Sequence, residues 1–305
     1  MKIYFNRKPV VGPWGGGNKT LSALIDNLQD NNEIVYQLCE NIDLIFCFDP
    51  RPNSYGEWYQ DFYNYKIKNP TTKIIQRVGD VGTHSKPDLT RLVKQTVNYS
   101  DHMIFPSKWA KDYIGFKKDN FAVIHNAPID VFYENNVENT ERKKSDKVRI
   151  VTHHWSDNPK KGFDVYSELG ELIQNNFKDE LEFTYIGRFN NDFKSSGITL
   201  KPPIDALSLS KELIKHDIYL TASLEEAGAN HVLEAMACKL PILYRKGGGS
   251  INEYCLGMGQ EYTRLNKENL TSIIKKMMET KYNTYNNSIK NVIEEYTKVI
   301  NEVVG

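Results

Sequence analysis

From Asp217 to Gly249 the chain reads DIYLTASLEEAGANHVLEAMACKLPILYRKGGG, and this run constrains the fold more than any other. A short β-run (Ile218 to Thr221) leads through an acidic, small-residue loop (Ser223 to Ala229) into an amphipathic helix over about Asn230 to Cys238. A second β-run (Pro241 to Tyr244) and a glycine turn follow. A strand feeding a helix that opens Gly228-Ala229-Asn230-His231 makes an anion site. The unpaired N–H groups of the first turn point outward and carry partial positive charge, so a phosphate fits there. Glu226 precedes the helix and Glu234 lies two turns on, so both can face one ligand. Taken alone, a glutamate pair at this spacing equally describes a solvated helix face.

At 305 residues the chain is long for one domain and comfortable for two, each burying its own core. With 39 basic and 39 acidic side chains there is no global pull toward nucleic acid or anionic lipid. Cys39, Cys47, Cys238 and Cys255 form no C-x-x-C pair, and three sit in apolar surroundings, which favours reduced thiols over a disulfide framework or a zinc site. The N-terminal apolar run is too short for a signal peptide, and no stretch of about 18 apolar residues occurs. A cytoplasmic protein without a transmembrane segment is expected.

Lys2 to Phe5 is a β-run leading into Val11-Gly12-Pro13-Trp14-Gly15-Gly16-Gly17-Asn18-Lys19-Thr20, then a helical pattern at Leu21, Leu24, Ile25 and Leu28. Strand, glycine loop and helix form a phosphate-approach unit, although the loop matches neither the Walker A nor the G-x-G-x-x-G spacing and also reads as a flexible turn. Asp43 to Phe48 and Lys73 to Arg77 read as buried parallel strands. Between them Tyr55, Trp58, Tyr59, Phe62, Tyr63 and Tyr65 read first as the buried stripe of a helix, second as a sugar-stacking surface.

After Arg77 the sequence runs VGDVGTHSKPDL, which places Asp80 and His84 at a strand's C-terminal end, where open α/β sheets carry ligand residues. The alternative there is a turn capped by Asp80 or Thr83. Polar residues Asn135 to Lys147 read as a linker. Beyond it come a strand (Val148 to Thr152), the pair His153-His154, and a helix marked by Val165, Leu169, Leu172 and Ile173. Adjacent histidines on a strand end point to opposite faces, and no carboxylate completes a cluster, so no metal site is expected. Glu182 to Ile186 is a further strand turning at Gly187-Arg188, and Ile289 to Val304 repeats apolar residues at helix period.

The string E-x7-E, here EAGANHVLE, followed by AMACKLPI resembles the nucleotide-sugar signature of retaining GT-B glycosyltransferases, particularly glycosyltransferase family 4. The resemblance implies two Rossmann-like α/β domains facing across a cleft. They would be an acceptor domain over 1–140, a donor domain over 147–286, and a C-terminal helix over 287–305 packing back on the first. It implies that Glu234 holds the ribose hydroxyls, that Glu226 contacts the donor sugar, and that the backbone of Gly228, Ala229, Asn230 and His231 meets the diphosphate.

The resemblance further implies that Lys161 binds the diphosphate. The arginine the family carries six residues upstream falls on Trp155, leaving His153, His154, Lys160 or Arg188 to supply that charge. Gly16 and Gly17 resemble the glycine-rich first loop near the donor, with Asn18 and Asp80 on the acceptor side and His84 touching the donor sugar. The nucleobase is implied to lie near Gly187 and the segment Lys201 to Ile204, which leaves UDP and GDP both open. FPSKWAKDY and VIHNAPIDVFYE resemble the family's strand-to-helix turn and the end of its first domain, with Ala127-Pro128 where a glycine is common.

The expected activity is a metal-independent, retaining hexosyl transfer of EC class 2.4. It would run from a nucleotide-sugar donor, with no further cofactor, to a glycan, lipid-linked or protein-linked acceptor. The alternatives are a nucleotide-sugar-binding module without turnover and a GT-B-type sugar epimerase. A dinucleotide oxidoreductase is disfavoured because G-x-G-x-x-G with an acidic residue about 20 positions on is missing.

Overall fold

The computed structural model describes residues 1–10, 16–138 and 146–305. In chain order its first elements are β1 (Lys2–Phe5), α1 (Gly16–Leu28), β2 (Glu33–Val35), β3 (Leu44–Cys47), α2 (Tyr59–Lys68) and β4 (Lys73–Arg77). Next come α3 (Pro87–Thr96), β5 (His102–Phe105), α4 (Lys108–Ile114), β6 (Phe121–Val123), α5 (Val131–Glu138) and β7 (Val148–His154). They are followed by α6 (Phe163–Leu172), β8 (Leu181–Gly187), β9 (Thr199–Lys201), α7 (Ala206–Leu213), β10 (Ile218–Thr221) and α8 (Asn230–Ala237). The chain ends with β11 (Ile242–Arg245), α9 (Ser250–Tyr254), β12 (Gly259–Tyr262), α10 (Leu270–Glu279) and α11 (Ile289–Val304). Among the described residues no helix is long and apolar enough to cross a membrane.

The chain divides into two compact units, one of Met1–Asn126 with Asn287–Gly305 and one of Ala127–Asn286. In the first, the strands run β2-β1-β3-β4-β5-β6 and every pair is parallel. Parallel strands covered by helices on both faces must be apolar on both, and every residue of β3 is buried. The order reverses direction between β1 and β3. There Asn6, just past β1, accepts from the Phe48 N–H at 2.7 Å and donates to the Asp49 carbonyl, fastening the two strand ends together. α4 starts on Ser107, whose hydroxyl accepts from the Ala110 N–H at 3.0 Å, and stops at left-handed Gly115.

α11 returns to this unit. Ser288 caps it by accepting from the Asn291 N–H at 3.2 Å, and Val292, Ile293, Tyr296, Val299 and Ile300 form its buried face. That face packs on α1, and Asn27 of α1 donates to Thr297 at 3.1 Å.

The second sheet runs β12-β11-β10-β7-β8-β9, again wholly parallel. Starting from β7, the chain builds outward through β8 and β9, then returns to β7's other side for β10, β11 and β12. The reversal between β7 and β10 is where a doubly wound sheet opens a crevice at its carboxyl edge. Ile150 pairs with Ile218 and Val151 with Tyr219 across it.

Three expectations are corrected. The first unit ends at Asn126 and not at 140, because α5 belongs to the second: Phe132 is fully buried in that unit's core, and α5 packs on α7 and α8. The expected linker begins inside α5, and 139–145 lie outside the described residues. The aromatic run is not a buried stripe. α2 buries Phe62, Tyr55 is exposed ahead of the helix, and Trp58, Tyr59, Tyr99 and Tyr63 form a partly exposed chain of ring contacts.

Candidate functional site

The functional side chains of the second unit gather at the carboxyl ends of β7 and β10 and at the start of α8. β7 ends in His153 and His154, whose side chains follow the strand's alternation to opposite faces. On one side His153 Nε2 lies 2.9 Å from Glu234 Oε2 of α8, and Nδ1 lies 3.1 Å from Tyr219 Oη of β10. On the other His154 Nε2 lies 2.8 Å from Tyr166 Oη of α6. The third imidazole, His231, stands beside both with ring centroids 6.3 Å from His153 and 4.8 Å from His154, and its Nε2 meets Thr221 Oγ1 at 3.0 Å. All three histidines are buried.

Hydrogen-bond bookkeeping assigns the protons. Burial drives the Tyr219 phenol far up from its ordinary value and pushes Tyr166 up to about 12, so both remain O–H donors at neutral pH. Tyr166 Oη already accepts from the Ala222 N–H at 2.9 Å, which leaves its proton for His154 Nε2. Tyr219 Oη accepts from the His153 N–H at 3.2 Å and has both the His153 carbonyl, at 3.3 Å, and Nδ1 within reach. A carboxylate oxygen only accepts, so Nε2 carries a hydrogen and donates to Glu234.

A second pair lies in the preceding loop. Lys161 Nζ stands 2.5 Å from Glu226 Oε1, with both side chains nearly buried, at 13% and 12% exposure. Beside it Lys160 pairs with Glu225, and the Leu224 N–H donates to the Lys160 carbonyl at 2.9 Å. The loop therefore lies along the 3-10 turn Pro159–Lys161. Its other flank is laddered to the glycine turn: the Glu226 N–H donates to Gly248 at 3.1 Å and the Ser250 N–H to Glu226 at 2.8 Å. Gly249 sits at φ 71°, and a Cβ there would come 2.5 Å from the Glu226 carbonyl, so glycine permits this approach. The Ser223 hydroxyl, at the end of β10, is buried with no partner.

The backbone amides expected to meet an anion are partly committed. The Ala229 N–H donates to Ser250 Oγ at 3.2 Å and the Asn230 N–H to the Gly228 carbonyl at 3.0 Å. Gly187 ends β8 opposite His154 at φ 123°, and Pro203 and Ile204 close a narrow slot with Gly187, Ile186 and the segment His153 to Trp155. The Gly187 turn and the segment up to Ile204 thus meet at one place. Arg188 follows, exposed, its carbonyl held by the Tyr185 hydroxyl.

The remaining predicted residues lie on the first unit. Gly16 opens α1 and Gly17 follows it, while 11–15 of the same loop lie outside the described residues. Asn18 is occupied in its own loop: its amide accepts from the Val10 N–H and donates to the Val10 carbonyl, both at 2.8 Å. Asp80 accepts from the Gly82 N–H at 2.8 Å and pairs with Lys86 at 2.8 Å, which is the capped-turn alternative. His84 is half-buried just beyond it. Among the described residues no group of three histidine, cysteine or acidic side chains is placed to hold a metal.

Sequence reasoning missed that Glu234 is held by His153, itself held by Tyr219, and that Lys161 and Glu226 neutralise each other. The doubled histidine at a strand's end was the only signal for the first. The second joins positions 65 apart and left no local trace.

No protein-family model and no curated protein matches the chain. Solved structures do match over its whole length. Anabaena Alr3699/HepE in complex with UDP and glucose is 12% identical with a TM-score of 0.66, covering 98% of this chain and 99% of that one. Sucrose-phosphate synthase from Thermosynechococcus elongatus is also 12% identical at 0.66, with 99% and 98% covered. A glycosyltransferase from Rickettsia africae is 14% identical at 0.61, with 100% and 94% covered. At these identities the likeness is one of fold: the chain is built on the two Rossmann-like α/β units of the GT-B glycosyltransferase architecture.

Proposed function

We propose that this protein is a retaining, metal-independent hexosyl glycosyltransferase that moves a sugar from a UDP- or GDP-linked donor to an acceptor hydroxyl. The observation that carries the reading is the convergence of two acid–base pairs, Glu226 with Lys161 and Glu234 with His153, at the carboxyl edge beside the β7/β10 reversal. Complexes of a fold neighbour with UDP and glucose support it.

In this reading Glu234 accepts from the ribose hydroxyls, and the base lies near the Gly187 turn and the segment Lys201 to Ile204. Lys161 turns from Glu226 toward the diphosphate. The bond between the anomeric carbon and the β-phosphate oxygen breaks, and a bond from that carbon to the acceptor oxygen forms on the same face. The acceptor's proton passes to the departing phosphate oxygen, whose charge Lys161 and nearby N–H groups offset. Glu226, released from Lys161, meets the sugar. Asn18 and Asp80 bond within their own loops. No cofactor beyond the nucleotide sugar is required, and the enzyme works in the cytoplasm on a glycan, lipid-linked or protein-linked acceptor.

The Lys161–Glu226 pair also suits a second reading, a nucleotide-sugar-binding module without turnover, since it leaves the charge for a leaving group already neutralised. A thermal-shift screen of UDP- and GDP-sugars, followed by an assay of free nucleotide released from the sugar that binds, separates the two. Release that disappears in Glu226→Ala supports the enzyme, binding with no release supports the module, and no binding by any donor removes both.

A further inference from the structure

We infer that His153 is a positioning residue that holds the Glu234 carboxylate in the orientation needed to accept from the two ribose hydroxyls of a nucleoside diphosphate. The inference rests on the proposed donor site and adds to it the device that sets Glu234.

Glu234 projects from the second turn of α8 and is only 7% exposed. A carboxylate on a two-methylene arm has several rotamers, and one buried without a fixed partner would sample them or take up a proton. His153 removes that freedom because it is itself held twice. It occupies a β-strand paired on both sides, with Thr152 and His154 in register with Tyr185 and Gly187 of β8. Its ring is then fixed by Tyr219, which lies on the neighbouring strand in register with Val151, two residues back on the same face. The order of support runs from sheet to tyrosine to imidazole to carboxylate. Each member is buried, and the far end is the Glu234 carboxylate beside the reversal between β7 and β10.

The groups around the ring are all accounted for. Tyr219 comes from β10, Glu234 and His231 from α8, and His154 is its neighbour on β7. Among these Glu234 is the acceptor at Nε2. A second ligand-facing role for His153 is unnecessary, because both ring nitrogens are engaged within the protein.

The test uses the discrimination between ribose and deoxyribose, since a merely structural histidine would weaken both ligands alike. UDP and GDP are titrated calorimetrically into the full chain, and the tighter one is compared with its 2′-deoxy and 3′-deoxy forms. Wild type is expected to prefer the ribonucleotide by about tenfold or more. His153→Gln, whose amide nitrogen falls near the place of Nε2, keeps that ratio. His153→Asn, which preserves bulk but puts its amide near the place of Nδ1, and His153→Ala bring it close to one. Equal discrimination in wild type and His153→Asn overturns the inference while leaving the donor site standing. A wild type that binds UDP or GDP without discriminating deoxyribose removes Glu234 as the ribose acceptor. A wild type that binds neither overturns the proposed function itself.

Discussion

Arg77, the last residue of β4, donates through Nε to Tyr296 Oη on α11 at 2.9 Å, joining positions 219 apart in the chain. Arg77 is buried, at 3% exposure; its Nη2 donates to Asn126 at 3.2 Å, and its guanidinium carbon lies 4.5 Å from the Phe48 ring centre. Its partners are thus neutral oxygens and an aromatic face. Tyr296 lies on the returning helix and Asn126 closes the unit's first segment, so one side chain fastens both ends of this discontinuous unit.

Removing the hydroxyl alone should therefore be felt. Tyr296→Phe keeps the ring that packs against Phe46 but leaves a buried N–H donor of a cation without its acceptor. A loss of about 1–3 kcal/mol is expected, read as a lower midpoint in urea unfolding. An unchanged midpoint would mean that water replaces the phenol at Arg77.

Glu234→Ala removes the carboxylate expected to accept from ribose and leaves His153 Nε2 facing an empty space. Nucleotide affinity measured by calorimetry should fall by about 1–3 kcal/mol. Glu234→Gln should lose part of that, since its oxygen still accepts from one hydroxyl. Equal affinity in all three proteins would place the ribose elsewhere.

The Lys161–Glu226 pair should count in both stability and turnover. Breaking a nearly buried pair strands the remaining charge, so Lys161→Ala and Glu226→Ala should each destabilise by about 1–3 kcal/mol, and the double mutant by less than their sum. Glu226→Ala should lower nucleotide release from the donor more than it weakens donor binding. Strict additivity in unfolding midpoints would show that the contact contributes nothing.

Much of this architecture is legible along the chain, because its cause is local. Leu44–Cys47 and Ile218–Thr221 are continuous apolar runs, and strands buried on both faces must be so. α11 announces itself through apolar residues at helix spacing. The boundary between the two units is not written locally. Polar residues from Asn135 onward mask a helix fastened by Phe132, with Val131 and Tyr133 beside it, and their packing depends on elements far along the chain. The site follows the same division. The loop and helix carrying Glu226 and Glu234 could be read from spacing. That Asn18 spends its amide on Val10 and that Glu234 meets His153 are tertiary facts, set by which strand ends lie together.

Burial lowers the pKa of two histidines, His102 and His216, and His216 is the more deeply buried. It is 6% exposed just ahead of β10, and its Nδ1 lies 3.0 Å from the Glu212 carbonyl. Burial pulls its pKa below 6.5, against the opposing pull of that carbonyl and the Glu212 carboxylate, with Lys201 and Arg149 adding to the drop. The unfolded chain therefore binds a proton that the folded chain refuses. Stability from this group is fully present above the unfolded value of 6.5 and is lost as the pH falls through the lower folded value. Glu212 is itself held below 4.5, through Lys201 and Lys215 against its own burial, so its contribution persists until more acid conditions and the two windows are separate. Urea midpoints taken at half-unit steps downward from pH 7 should fall in wild type through the region just below 6.5 and stay flatter in His216→Asn, whose amide nitrogen falls near the place of Nδ1 and can still donate to the Glu212 carbonyl. Parallel curves for the two proteins would assign the acid sensitivity to another group.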